Sequence, residues 1–246
     1  MRAWDVVPKS SGNEGVQSRV RLTPTFSQKG EGDPNVVTTG EKVMSENPVK
    51  PAEGVKVRIK DHGEVLELDY DGAICQHPGS LWWGTAVGFR AMQAAAQALS
   101  QDDLWARDNL YIVSGHPGPG VKDTIDYVTG AASRDRYKVI VAEGCGMQCN
   151  SKMKYEWWVS DGEKTANINL RPDFVPREFY DLTDRLETDQ TTKEDLKAFR
   201  IFKVNLSTRL WVAPLEENFR VEVVDQPLQP GELPEAARAK DYFDLK

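Results

Sequence analysis

Residues 76–99 read QHPGSLWWGTAVGFRAMQAAAQAL, and the rest of the chain is best placed by starting from them. The stretch opens on His77-Pro78-Gly79, passes Trp82 and Trp83, meets Gly84 and Gly88, and then runs through Ala, Met and Gln to Leu99 without a breaker. Pro and Gly punctuate the chain, whereas Ala, Met, Gln and Leu lose little rotamer freedom in a helix. The order therefore predicts a loop that feeds the N-terminus of a helix. Gly84, Ala86 and Gly88 are small enough to let a second backbone come close. The first turn of a helix carries N–H groups with no intrahelical acceptor, so the loop before it suits a polar or anionic ligand.

Upstream, residues 55–59 (VKVRI) and 65–70 (VLELDY) alternate apolar and polar side chains around Asp61-His62-Gly63, the pattern of a β-hairpin. Downstream, residues 110–113 (LYIV) predict a short buried strand. The loop 114–120 (SGHPGPG) leads into a helix over 121–128, where Val121, Ile125 and Val128 recur at helical spacing and Gly130 supplies the stop. Residues 137–142 (YKVIVA) form a strand, and 155–159 with 165–170 form a hairpin about Asp161-Gly162. Residues 181–186 predict a helical turn. Thr192, with Asp195 three residues on, starts a helix that runs to Val212 and ends before Pro214; residues 218–224 are a last strand. The expectation is one α+β domain over 55–224, of mixed sheet and packed helices. Residues 1–54, rich in Gly, Pro, Ser, Thr and Asn, would be an extended or disordered arm, with strand-like pieces at 18–22 and 35–38. Residues 225–246 would be a tail.

The chain has 246 residues, enough to bury a core, with 38 acidic against 31 basic side chains and a net charge of −7. That balance argues against a nucleic-acid surface, which needs clustered Lys and Arg. The first residues lack the apolar core of a secretory signal, and no segment approaches the roughly 20 apolar residues of a membrane helix. A soluble cytoplasmic protein with no membrane insertion is the expectation. Cys75, Cys145 and Cys149 are too few for a disulfide framework and suit a reducing compartment.

Several side chains carry candidate chemistry. His77-Pro78-Gly79 and His116-Pro117-Gly118 repeat one tripeptide before two predicted helices. Imidazole is a common metal ligand and acid–base group, although each histidine could equally cap its loop. Cys145 and Cys149 are spaced for a shared metal or a disulfide, but not as Cys-x-x-Cys. Trp82 and Trp83, like Trp157 and Trp158, could line a pocket or fill a core. Arg90, near the start of the central helix, could clamp a carboxylate or phosphate or sit in a structural ion pair. Asp123 and Asp126 lie early in their helix, where the dipole favours them.

These residues, taken in order, resemble a known family. Residues 84–96 (GTAVGFRAMQAAA) look like the Gly-x-Ala-x-Gly-x-Arg helix start of the FmdE-like family of formylmethanofuran dehydrogenase components. Residues 121–130 (VKDTIDYVTG) resemble its second motif, and residues 192–224 its later helix and Pro-x-Glu-x-Phe-x-Val strand entry. The family carries a His-x-Cys metal motif, whose positions fall here at Ser80 and Trp82, and the cysteine before its second motif falls near Gly120. Its C-terminal zinc module is absent from this sequence. The resemblance implies a divergent member linked to one-carbon or molybdenum/tungsten-enzyme metabolism. Such a member either lost the metal site or rebuilt it, for zinc or another transition metal, from His77, His116 and a cysteine. Ser80, Trp82, Trp83 and Arg90 would then line the ligand site. The alternative is a non-catalytic accessory subunit whose arms wrap protein partners or a second copy in a homo-oligomer.

Overall fold

The structure is a computed structural model and describes residues 51, 55–77, 83–100, 103–145, 150–238 and 242–244. The expected arm, with its two strand-like pieces, lies outside the described residues, as do Ser80, Trp82 and Cys149.

Strands β1 (Lys56–Asp61) and β2 (Glu64–Asp69) form the expected antiparallel hairpin, with Lys56 opposite Asp69 and Asp61 opposite Glu64. Its two turn residues, His62 and Gly63, both have positive φ, 49° and 85°. A two-residue hairpin loop needs that conformation to match the twist of its strands. Helix α1 (Tyr70–Gln76) follows directly, because the Asp69 carboxylate accepts the Gly72 N–H at 2.8 Å and caps it. The alternation through Tyr70 gave no sign of this helix.

The central helix α2 spans Trp83–Leu99. A short 3-10 turn at Arg107–Asn109 leads to β3 (Tyr111–Ser114), and α3 (Pro119–Thr129) then starts with Pro at its first position. It stops at Gly130, whose φ of 64° is the left-handed conformation. Strands β4 (Tyr137–Ala142), β5 (Glu156–Ser160) and β6 (Thr165–Leu170) follow. Next come α4 (Arg177–Leu186), α5 (Lys193–Val212), α6 (Leu215–Asn218), β7 (Phe219–Val224), α7 (Glu235–Arg238) and β8 (Tyr242–Asp244). Thr192 caps α5 reciprocally: its hydroxyl accepts the Asp195 N–H, and the Asp195 carboxylate accepts the Thr192 N–H.

Among the described residues, six strands make one mixed sheet in the order β7-β6-β5-β3-β4-β8. Of these six described strands β3 and β4 run parallel, with α3 as the crossover between them, and the other neighbours are antiparallel. The protein is an α+β fold, as the element pattern predicts.

One sheet face carries Ile112, Trp157, Val159 and Ile168 into the main core beneath α2. The other presents Tyr111, Val113, Ile140 and Trp158 to Leu228, Leu233 and Ala237 of the C-terminal segment. Covered on both faces, β3 is buried at all four residues, and this is why it reads as an unbroken apolar run.

Helix α2 lies against α3, α5 and the β6–β7 side of the sheet. Its glycines set the α3 approach. A Cβ on Gly88 would sit 3.3 Å from Val121 Cα, Val121 O and Thr124 Cβ, and one on Gly84 would sit 3.4 Å from Val121 N. Their role as close-approach residues follows from the missing side chain.

Candidate functional site

His77 caps the end of α1, and the packing of α1 on α3 sets Asp123 of α3 beside it. Asp123 Oδ2 is 2.8 Å from His77 Nδ1. An ionised carboxylate only accepts, so this contact puts a proton on Nδ1, and in the neutral ring Nε2 then carries the lone pair. The His77 side chain is 15% exposed and that of Asp123 35%. Nε2 is directed towards the start of α3: a Cβ on Gly120 would lie 3.4 Å from His77 Nε2 and 3.4 Å from Thr85 N. Thr85 belongs to the first turn of α2, and its hydroxyl is buried with no hydrogen-bond partner among the described residues. On β4, burial and then the Asp123 charge push the Tyr137 phenol above its ordinary range. A carboxylate that fixes the tautomer of an imidazole is the arrangement found behind acid–base histidines and behind histidine metal ligands.

The second His-Pro-Gly loop does something else. Ser114 Oγ accepts the His116 N–H and donates to the His116 carbonyl, each at 3.1 Å, while the Gly118 N–H donates to His116 Nδ1 at 3.0 Å. His116 is the loop-capping histidine. Since Nδ1 must accept, the proton resides on Nε2, which is buried without a partner. The ring packs on Tyr155 at 4.6 Å between centroids, and burial, then the Lys203 charge, pull its pKa down to about 3. A neutral imidazole whose Nδ1 is occupied and whose Nε2 carries hydrogen offers no lone pair to a metal. The expected ligand role of His116 is therefore corrected to a structural one.

Arg90 is also corrected. Its Nη2 donates to the Ala213 carbonyl at 2.7 Å and its Nη1 to Gln93 Oε1 at 3.3 Å, and the guanidinium lies 5.5 Å from the Trp211 ring centroid. It ties α2 to the C-terminal end of α5 instead of facing a ligand. Trp83 stacks on Phe174, with ring planes 5° apart, and donates its Nε1–H to the Tyr155 hydroxyl at 2.9 Å. It is a core residue, as Trp157 and Trp158 are. Cys145 is buried, and Asn150 Nδ2 donates to its carbonyl at 2.6 Å.

Among the described residues, one group of His, Cys, Asp and Glu brings three ligand atoms within 4.8 Å of one another: Asp61, His62 and Asp108. It contains none of His77, His116 and Cys145. Asp61 already accepts from Arg134 at 2.7 Å and from Arg107 at 2.9 Å, and these bonds, Arg134 foremost, hold its carboxyl below the usual range. Arg134 Nη1 also stands 3.6 Å from Asp108. Two guanidiniums neutralise the pair of carboxylates that a cation would need, and their chief result is to tie the β1–β2 hairpin to the region after α3. This donor set does not fit a transition metal well.

The sequence placed His77 but missed its partner. Asp123 looked like a helix-dipole residue, and nothing in a 46-residue separation announces their contact. No protein-family model matches the chain, and no curated protein matches it.

Proposed function

We propose that the chain binds a small polar molecule where α1, α2 and α3 meet, and that His77 Nε2 exchanges a hydrogen bond or proton with it. The observation that carries this is the 2.8 Å contact of His77 Nδ1 with Asp123, which presents Nε2 beside the first turn of α2. Such a carboxylate partner holds the ring in one orientation, with Nε2 turned away from Asp123. The first-turn N–H groups of α2 add donors for the ligand's oxygen atoms.

The ordered motifs at residues 84–96, 121–130 and 192–224 support a place near the FmdE-like family, serving one-carbon or molybdenum/tungsten-enzyme metabolism in the cytoplasm. No described helix is long and apolar enough to cross a membrane. Zinc or another transition metal comes second in this proposal. Among the described residues His77 brings one imidazole and an outer carboxylate, and the Asp61–His62–Asp108 group is engaged by arginines. The alternative of an accessory protein has its own observation: edge strand β7 leaves Val221, Val223 and Val224 exposed, which suits a protein partner or a second copy.

Native mass spectrometry and elemental analysis of the purified chain test these together. The expected result is a small-molecule mass retained by wild type and lost from His77→Ala and Asp123→Ala, without stoichiometric zinc. A stoichiometric metal that persists in His77→Ala but is lost in Asp61→Ala moves the function to the hairpin. A wild type carrying neither contradicts both small-molecule and metal binding.

A further inference from the structure

A cavity of about 550 Å³ lies where the start of β5 meets the end of β6 beside α4, formed by none of the residues discussed at His77. Its size falls within the ~300–1,000 Å³ of small-molecule pockets. Met153, Tyr155, Leu170 and Val175 give it buried walls, each 7% exposed or less. Two exposed cations, Lys154 and Arg171, stand among its lining residues.

The register explains the position of these cations. Glu156 faces Asn169 in the β5–β6 ladder, and the Leu170 N–H donates to the Tyr155 carbonyl at 2.9 Å, so Lys154 and Arg171 follow at the open end of that pair of strands. Among the described residues, no carboxylate comes within 4.0 Å ion-pair distance of either cation. Arg171 instead gives Nε and Nη2 to the Glu216 carbonyl at 3.1 and 2.8 Å, a neutral acceptor that fixes the guanidinium and leaves its charge uncompensated. The cavity also contains one carboxylate, the buried Glu156. With two cations and one carboxylate among its lining residues, the cavity suits an anionic group joined to an apolar body.

We propose that this cavity is a binding site for a small organic carboxylate, its anionic end held between Lys154 and Arg171 and its apolar body against Met153, Leu170 and Val175. The site is separate from His77 and stands whether or not that assignment holds. Its tie to the rest of the protein is Tyr155, whose hydroxyl accepts from Trp83 at the start of α2.

The test uses the full chain, titrated with benzoate, hexanoate, phenyl phosphate and neutral benzamide up to about 10 mM, the weak end of specific affinity. Methyl resonances of Met153, Leu170 and Val175 report occupancy. Saturable shifts from the carboxylates are expected, with benzamide weaker by about tenfold, roughly 1.4 kcal/mol. The double variant Lys154→Ala/Arg171→Ala, at two exposed positions, should erase the preference for benzoate over benzamide and keep the native spectrum elsewhere. Equal binding of benzoate and benzamide, no saturable shift from either carboxylate, or phenyl phosphate binding more tightly than benzoate would each overturn the proposal.

Discussion

At His116 a single backbone bond decides what the ring can do. The Gly118 N–H occupies Nδ1, burial keeps the ring neutral, and the group binds no proton in the folded protein until about pH 3. The unfolded chain takes up that proton near the ordinary histidine value of about 6.5. A group whose folded pKa is depressed contributes stability that is complete above the unfolded pKa and is lost as pH falls towards the folded one. Between pH 7 and pH 5 His116 should therefore cost the protein roughly 2 kcal/mol. His116→Gln retains an acceptor for Gly118 without titrating, so its urea midpoint should fall less over that interval than the wild-type midpoint. Equal slopes would show that the ring is not held neutral. His77 has the same tripeptide but meets a carboxylate instead of an N–H, and that difference separates an available lone pair from a buried donor.

At the scale of elements, the α2–α3 crossing positions the site. Gly88 Cα faces Val121 backbone and Thr124, and a larger side chain has nowhere to go without moving α3. Gly88→Val should destabilise by roughly 1–3 kcal/mol, the usual cost of overpacking, read as a lower urea midpoint. It should also weaken any ligand bound at His77, since Asp123 moves with α3.

Most elements were legible because their ends carry local chemistry. Strands 137–142 and 165–170 are bounded by polar and turn residues and appear over those same residues. Helix α5 begins at the Thr192–Asp195 box and stops before Pro214. Helix α1 was hidden because its seven residues show no helical stripe, and only the Asp69 cap marks it. The His77–Asp123 pair was equally hidden, since it depends on how α1 packs against α3. Gly84 and Gly88 hinted that a helix would approach α2 closely, but nothing local named the α3 side chain that meets His77 at the end of α1.

For the molecule as a whole, the C-terminal segment matters more than its composition suggested. Leu228, Leu233 and Ala237 cover Tyr111, Val113, Ile140 and Trp158 on the outer sheet face, and β8 pairs with β4 from Ile140 to Ala142. Strand β8 is three residues long and held by backbone pairing, which leaves no pattern in a sequence. Removing residues 226–246 strips that face and frees a sheet edge. The truncated chain should lose several kcal/mol, lowering Tm by roughly 10 °C at the usual ~2–4 °C per kcal/mol for a chain of this size, or should aggregate. An unchanged Tm would mean that the segment lies loosely on the sheet.

The proposed function turns on the state of one ring, and long-range ¹H–¹⁵N correlation of the His77 imidazole at about pH 8, above the ordinary histidine range, reads it directly. A proton on Nδ1 and a bare Nε2 are expected in wild type, with loss of that preference in Asp123→Ala. A wild-type His77 with hydrogen on Nε2 would contradict the proposal, because the atom offered to a ligand would then be a donor and Asp123 would not be setting the tautomer.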